Sequence, residues 1–289
     1  MGVRIIPRLD IKGPNLVKGI QFEGLRVLGK PEQFTRYYYE GGADELIYQD
    51  TVASLLGRNS LLDMIERIAR HTFIPLTVGG GLRTIDDIRA ALRAGADKVA
   101  VNTAAVARPE LIREAARRFG SSTIVVSIEA IRHPDGRYEA YTDFGRESTG
   151  VDAVTWARQA VELGAGELLV TCINREGSGK GFDLELTRAV AEAVPVPVIA
   201  GGGAGRVEHV AEVIREGRAD AVCCASLFHY EAVRHFRVRE DEFREEGNIE
   251  FLRKGGTSFS RISPATIAEL KRHLAACGIE VRPWEAAAA

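Results

Sequence analysis

The chain is poor in cysteine: its 289 residues hold 4, at positions 172, 223, 224 and 277. Their spacing fits no metal-ligand pattern, and three lie in apolar, strand-like runs. A zinc ribbon and a disulfide framework are thereby excluded; reduced core thiols in a cytoplasmic protein are expected instead. Charge of one sign is lacking too. Lys and Arg number 38 against 40 Asp and Glu, a formal net charge of −2, so no broad basic field invites nucleic acid. No apolar run approaches the roughly 20 residues that cross a bilayer. The N-terminus passes at once into a strand-like run at Arg4, which leaves no room for a signal peptide. No Pro/Ser-rich linker divides the chain. One domain over residues 1–289 is expected, close to the roughly 250 residues common for a (βα)8 barrel.

Glycine is plentiful, at 30 residues, and it is patterned. Leu76-Thr77-Val78-Gly79-Gly80-Gly81 and Val198-Ile199-Ala200-Gly201-Gly202-Gly203 each end an apolar run and open a helix-like stretch. Each is followed by a second strand-like run with a small polar residue after it, in Asn102-Thr103 and in Ala225-Ser226. Glycine turns let backbone N–H groups approach an anion closely. Two phosphate cradles on a duplicated scaffold are the reading; two tight turns without a ligand are the plain alternative. Strand-like runs at 4–9, 45–49, 74–78, 98–101, 123–128, 167–171, 197–200 and 220–224 alternate with helix-period stretches at 31–40, 60–71, 84–94, 109–119, 152–163, 183–193 and 207–216. Eight strands alternating with helices predict a (βα)8 TIM barrel with a parallel sheet. Ile5-Ile6-Pro7-Arg8-Leu9-Asp10 aligns with Val125-Val126-Ser127-Ile128-Glu129, so the barrel reads as two (βα)4 halves.

The strand ends carry the chemistry. Asp10 and Glu129 close the first strand of each half, on the C-terminal face where barrel enzymes react. Facing each other across a barrel, one ionised and one protonated, they suit general acid–base work. Arg8 shares a strand face with Asp10. Its guanidinium would depress the Asp10 carboxyl or bind an anionic group. At the other end, Arg4, Glu45, Lys98 and Glu167 begin four of the strands. They are either a surface ring of ion pairs or a charged closure over an opening through the barrel. A charge-rich segment at 231–261 follows the eighth strand and would lie on the active-site face, as a lid or as a solvated loop. Ser263 as N-cap and Pro264 at the first position predict a last helix, with Gly278 just past its end.

These stretches resemble the cyclase subunits of imidazole glycerol phosphate synthase. The likeness runs from residue 4 to about 230 and again over the last helix. It is carried by Asp10-Ile11-Lys12, Val17-Lys18-Gly19, Gly42-Ala43-Asp44-Glu45-Leu46, Gly79-Gly80-Gly81, Asn102-Thr103-Ala104-Ala105-Val106, Gly177, Gly181-Phe182-Asp183, Gly202-Gly203-Ala204-Gly205 and Ala225-Ser226-Leu227-Phe228-His229. The resemblance implies a lyase of histidine synthesis that needs no cofactor or metal. It takes ammonia from a glutaminase docked at the barrel bottom, as a heterodimer, and passes it to a bis-phosphate ribulosyl formimino substrate. The products are imidazole glycerol phosphate and an aminoimidazole carboxamide ribotide. By position, Asp10 is the expected base and Glu129 the second catalytic carboxylate. Lys18, Gly81, Asn102 and Thr103 serve the substrate and one phosphate; Gly177, Gly202, Gly203, Ala225 and Ser226 serve the other. Arg4, Glu45, Lys98 and Glu167 match the family's ammonia gate.

Departures accompany the match. Glu129 stands where the family has Asp, Arg8 where it has Cys, and Gly201 where it has Ser. Asn174 and Glu176 lie in a loop that usually reads Asp-Arg-Asp, and the 231–261 segment is additional. The gate is kept while the reactive face has changed. A paralogue that channels ammonia for amidation of a sugar in surface polysaccharide synthesis is therefore one alternative, and a non-catalytic partner-binding barrel another.

Overall fold

The computed structural model describes residues 2–53, 61–236 and 261–284. Among them are twelve strands: β1 (Arg4–Lys12), β2 (Asn15–Ile20), β3 (Glu23–Gly29), β4 (Leu46–Asp50), β5 (Leu76–Gly79), β6 (Lys98–Val101), β7 (Ile124–Arg132), β8 (Tyr138–Thr142), β9 (Glu147–Asp152), β10 (Glu167–Cys172), β11 (Val198–Gly201) and β12 (Ala221–Cys224). Eight of these pair in parallel in the order β10-β11-β12-β1-β4-β5-β6-β7, and β7 pairs back onto β10. The sheet is thus a closed (βα)8 barrel, and all eight predicted strands are in it.

Alternation along each strand sorts side chains between two cores. In β1, Ile5, Leu9 and Ile11 pack outward with the helices, while Ile6 turns into the lumen. In β10, Leu168 and Val170 pack outward and Leu169 inward. A long helix follows each barrel strand: Pro31–Glu40, Leu62–Ala69, Ile85–Ala94, Glu110–Phe119, Ala153–Leu163, Leu184–Ala193, Val207–Arg215 and Ile267–Ala276. Their ends follow local rules. Thr84 and Asp87 form a reciprocal capping box, Asp152 and Asp183 are N-caps, and Gly95 and Gly164 close their helices in the left-handed conformation. Each such N-cap contributes about 1 kcal/mol.

Three expectations need correction or completion. The last helix starts at Ile267, capped by Thr266 with Glu269, not at Ser263 and Pro264. Ser263 N–H donates to Gly205 O at 2.7 Å and Ala265 N–H to Leu227 O at 3.1 Å, which ties this stretch to the loop after β11 and the short helix after β12 and keeps it out of the helix. Gly278, with φ 73°, does stand just past the helix end. Two hairpins escape the sequence pattern. One, β2–β3, follows the first barrel strand; the other, β8–β9, follows the fifth, so they are related by the twofold repeat. Of the charged 231–261 segment, residues 237–260 lie outside the described residues; Phe236 packs edge-on against Phe34 at 4.9 Å.

Candidate functional site

At the N-terminal ends of the strands, Arg4, Glu45, Lys98 and Glu167 close into one ring. Arg4 Nη1 donates to Glu45 Oε1 at 2.7 Å, and its Nη2 donates to Glu167. Lys98 Nζ lies 3.1 Å from Glu45 and 3.0 Å from Glu167. Each carboxylate is buried and meets both cations. That double pairing offsets the cost of taking the charges out of water. Next along the lumen comes an apolar layer that includes Ile6, Ile47, Ala100, Val125, Leu169 and Ile199.

The C-terminal end is charged again. β1 carries Arg8 and Asp10 on the face of Ile6, and Arg8 Nε donates to Asp10 Oδ1 at 2.8 Å. Both residues are buried. Burial alone would disfavour the guanidinium, but Asp10 and Glu176 hold it firmly charged. Lys18, on β2, is buried and donates to Glu176, 158 residues away in sequence. Burial opposes both charges of that pair; mutual attraction raises the Lys18 ammonium and lowers the Glu176 carboxyl. Glu129, at the end of β7, differs. Burial pushes its carboxyl up to about 7, Arg8 opposes the rise, and the Asp10 charge adds to it. A buried acid poised near neutrality beside a paired carboxylate is the setting of a general acid.

Two recesses flank this cluster. The larger, of about 320 Å³, is lined by Gly81, Asn102, Thr103 and Glu129, together with Arg83 and Arg108. Asn102 Nδ2 donates to Glu129 Oε2 at 3.3 Å, and Thr103 Oγ1 accepts from Asp143 N–H at 3.0 Å. Gly80 beside it has φ 95°, and a Cβ there would stand 2.3 Å from Asp50 O, so only glycine makes this turn. The smaller recess, of about 20 Å³, is lined by Arg8, Glu176 and all five residues expected at the second phosphate: Gly177, Gly202, Gly203, Ala225 and Ser226. Phe144, which lines the larger recess from one hairpin tip, meets Phe22 of the other hairpin tip, ring centroids 4.2 Å apart. Arg8 Cζ lies 5.4 Å from the Phe22 ring.

The fold therefore brings Glu129 together with the first glycine turn and Arg8 together with the second. Asp10 lines neither recess; it faces Arg8. Glu176 was visible in the sequence only as a departure from a family pattern; its role as the counter-charge of Lys18 was not. Arg83, two residues past Gly81, also lines the larger recess, and its Nη2 donates to Ala53 O at 2.8 Å; nothing in the sequence pattern points to it.

Comparison with known proteins places this geometry. Residues 4–234 match the family model described as "Histidine biosynthesis protein". The chain is also 58% identical over 206 residues to the "Imidazole glycerol phosphate synthase subunit HisF" of Legionella pneumophila. That alignment covers 71% of this chain and 97% of the relative.

Proposed function

Because the chain belongs to the histidine biosynthesis protein family, we propose that it is the cyclase subunit of an imidazole glycerol phosphate synthase, an ammonia-using lyase. Ammonia comes from a glutaminase docked at the N-terminal face of the barrel. It enters through Arg4, Glu45, Lys98 and Glu167, whose pairs part to admit it, and crosses the apolar layer. Neutral ammonia suits that passage; ammonium would leave its hydration behind at a cost of several kcal/mol. At the mouth, a bis-phosphate ribulosyl formimino substrate places one phosphate against Gly81, Asn102 and Thr103. The other lies toward Gly177, Gly202, Gly203, Ala225 and Ser226, with Lys18 beside the ligand. Ammonia adds to the ribulosyl carbonyl and its oxygen leaves as water; the new nitrogen then bonds to the formimino carbon, closing the imidazole ring as the bond to the leaving carboxamide ribotide breaks, with Glu129 giving a proton and Asp10 taking one. Imidazole glycerol phosphate and an aminoimidazole carboxamide ribotide leave.

The observation that carries this reading is the lumen itself. A ring of paired charges closes one end, an apolar wall follows, and an acid poised near neutrality stands at the other end.

One observation favours a second reading. Asp10, the expected base, accepts a hydrogen bond from Arg8 Nε, so one of its two carboxylate oxygens is already engaged by a side chain of its own strand. The same conduit would then deliver ammonia to another acceptor, such as a sugar amidated for surface polysaccharide. Expression in a histidine auxotroph that lacks only its own cyclase subunit separates the two. Growth without histidine supports the first reading. Soluble, folded protein with no growth supports the second.

A further inference from the structure

We propose that Arg8 is an anion-binding residue of the smaller recess, and that its outer guanidinium nitrogen takes a phosphate oxygen there. The proposal rests on the reading above and deepens it: among the described residues that line the recess, Arg8 is the one cation.

Arg8 is 5% exposed, and its donors are unequally used. Nε is spent on Asp10, whereas Nη2 is buried and has no hydrogen-bond partner among the described residues. Leaving a buried charged donor unmet costs more than the hydrogen bond it could make is worth. The acid that could have met it, Glu176, is engaged by Lys18. None of the other described residues meets it, and the arginine lines a recess into which a ligand atom could enter.

The recess also states what fits. At about 20 Å³ it has room for one oxygen-sized atom beside Arg8. The ligand group therefore seats a single oxygen there and keeps its bulk at the mouth. The backbone around the recess permits that approach. Gly202 and Gly203 have φ of 82° and 110°, and a Cβ on Gly203 would stand 2.2 Å from Gly181 O. Gly201 faces Thr171, whose buried Oγ1 likewise has no hydrogen-bond partner among the described residues. An oxygen bearing negative charge gains most from a guanidinium, through a charge-assisted hydrogen bond. Lys18 then has a positioning task. It neutralises Glu176, whose carboxylate would otherwise repel the incoming anion.

Inorganic phosphate titrated into the full chain, followed by calorimetry, tests this without any turnover assay. Wild type is expected to bind two phosphates. Arg8→Met should weaken one site at least tenfold and leave the other within twofold. Should Arg8→Met fail to fold, Arg8→Lys keeps a charge against Asp10 but loses the planar fork, and should weaken the same site several-fold. Acetate in place of phosphate should compete poorly at that site. Unchanged binding at both sites in the Arg8 variant that folds would overturn the proposal. So would a second phosphate site present only in Arg8→Met, since the arginine would then obstruct the recess. Absence of cyclase activity leaves these binding outcomes untouched.

Discussion

Glu129→Gln offers the clearest test of the acid at the barrel mouth. The change removes an ionisable group and keeps its shape and size. Burial first, and the Asp10 charge in addition, raise the Glu129 carboxyl from 4.5 to about 7. An unfolded chain loses that proton near the lower value; the folded chain keeps it until the upper one. Between the two, the folded state binds more protons, so its stability falls as pH rises through the window. At about 1.4 kcal/mol per pH unit, the rise to about 7 corresponds to ~3 kcal/mol lost by the wild type between pH 4.5 and 7. The glutamine variant has no such loss. Urea unfolding of both proteins from pH 4.5 to 8 measures the difference, and the other titrating groups cancel in the comparison. The stability of Glu129→Gln relative to wild type should climb by ~3 kcal/mol across the range and then level off. Parallel curves would show that Glu129 titrates as an ordinary carboxyl, and the assignment of a neutral acid would fall.

Sulfate, which does not titrate in this range, should draw in protons when it binds at pH 7 to 8, because its negative charge raises a carboxyl already poised near neutrality; calorimetry in two buffers of different ionisation heat measures the uptake, and Glu129→Gln should abolish it. Lys98→Met removes one of the two cations that meet Glu45 and Glu167; unfolding in urea should show a loss of about 1–3 kcal/mol, and glutamine-driven turnover should fall more than ammonium-driven turnover. Gly203→Ala sets a Cβ 2.2 Å from Gly181 O at a φ of 110°; it should cost about 1–3 kcal/mol of stability and weaken phosphate at the smaller recess while sparing the larger one.

The barrel was readable because its strands are buried on both faces and stand out as short apolar runs broken by glycine. The same logic placed Arg8 and Asp10 together, since a spacing of two puts side chains on one strand face. The hairpins were not readable for the converse reason. Glu147–Asp152 is mostly exposed, and β2 carries Asn15 and Lys18 among its buried positions, so neither shows an apolar alternation. Lys18 with Glu176 illustrates a second limit. The two meet only because a hairpin folds back across the mouth, and nothing local to either residue announces it. The start of the last helix was misplaced because Ser263 and Pro264 satisfy the capping rules locally. Backbone bonds to Gly205 and Leu227 keep that stretch out of the helix, and the Thr266 and Glu269 box takes over.

Turnover of the bis-phosphate ribulosyl formimino substrate with an ammonium salt, by the purified chain without a glutaminase, bears most directly on the whole account. Formation of imidazole glycerol phosphate that rises with the free-ammonia fraction, and disappears in Asp10→Asn, is the expected result. No product from folded wild-type protein at high ammonium and alkaline pH would contradict it.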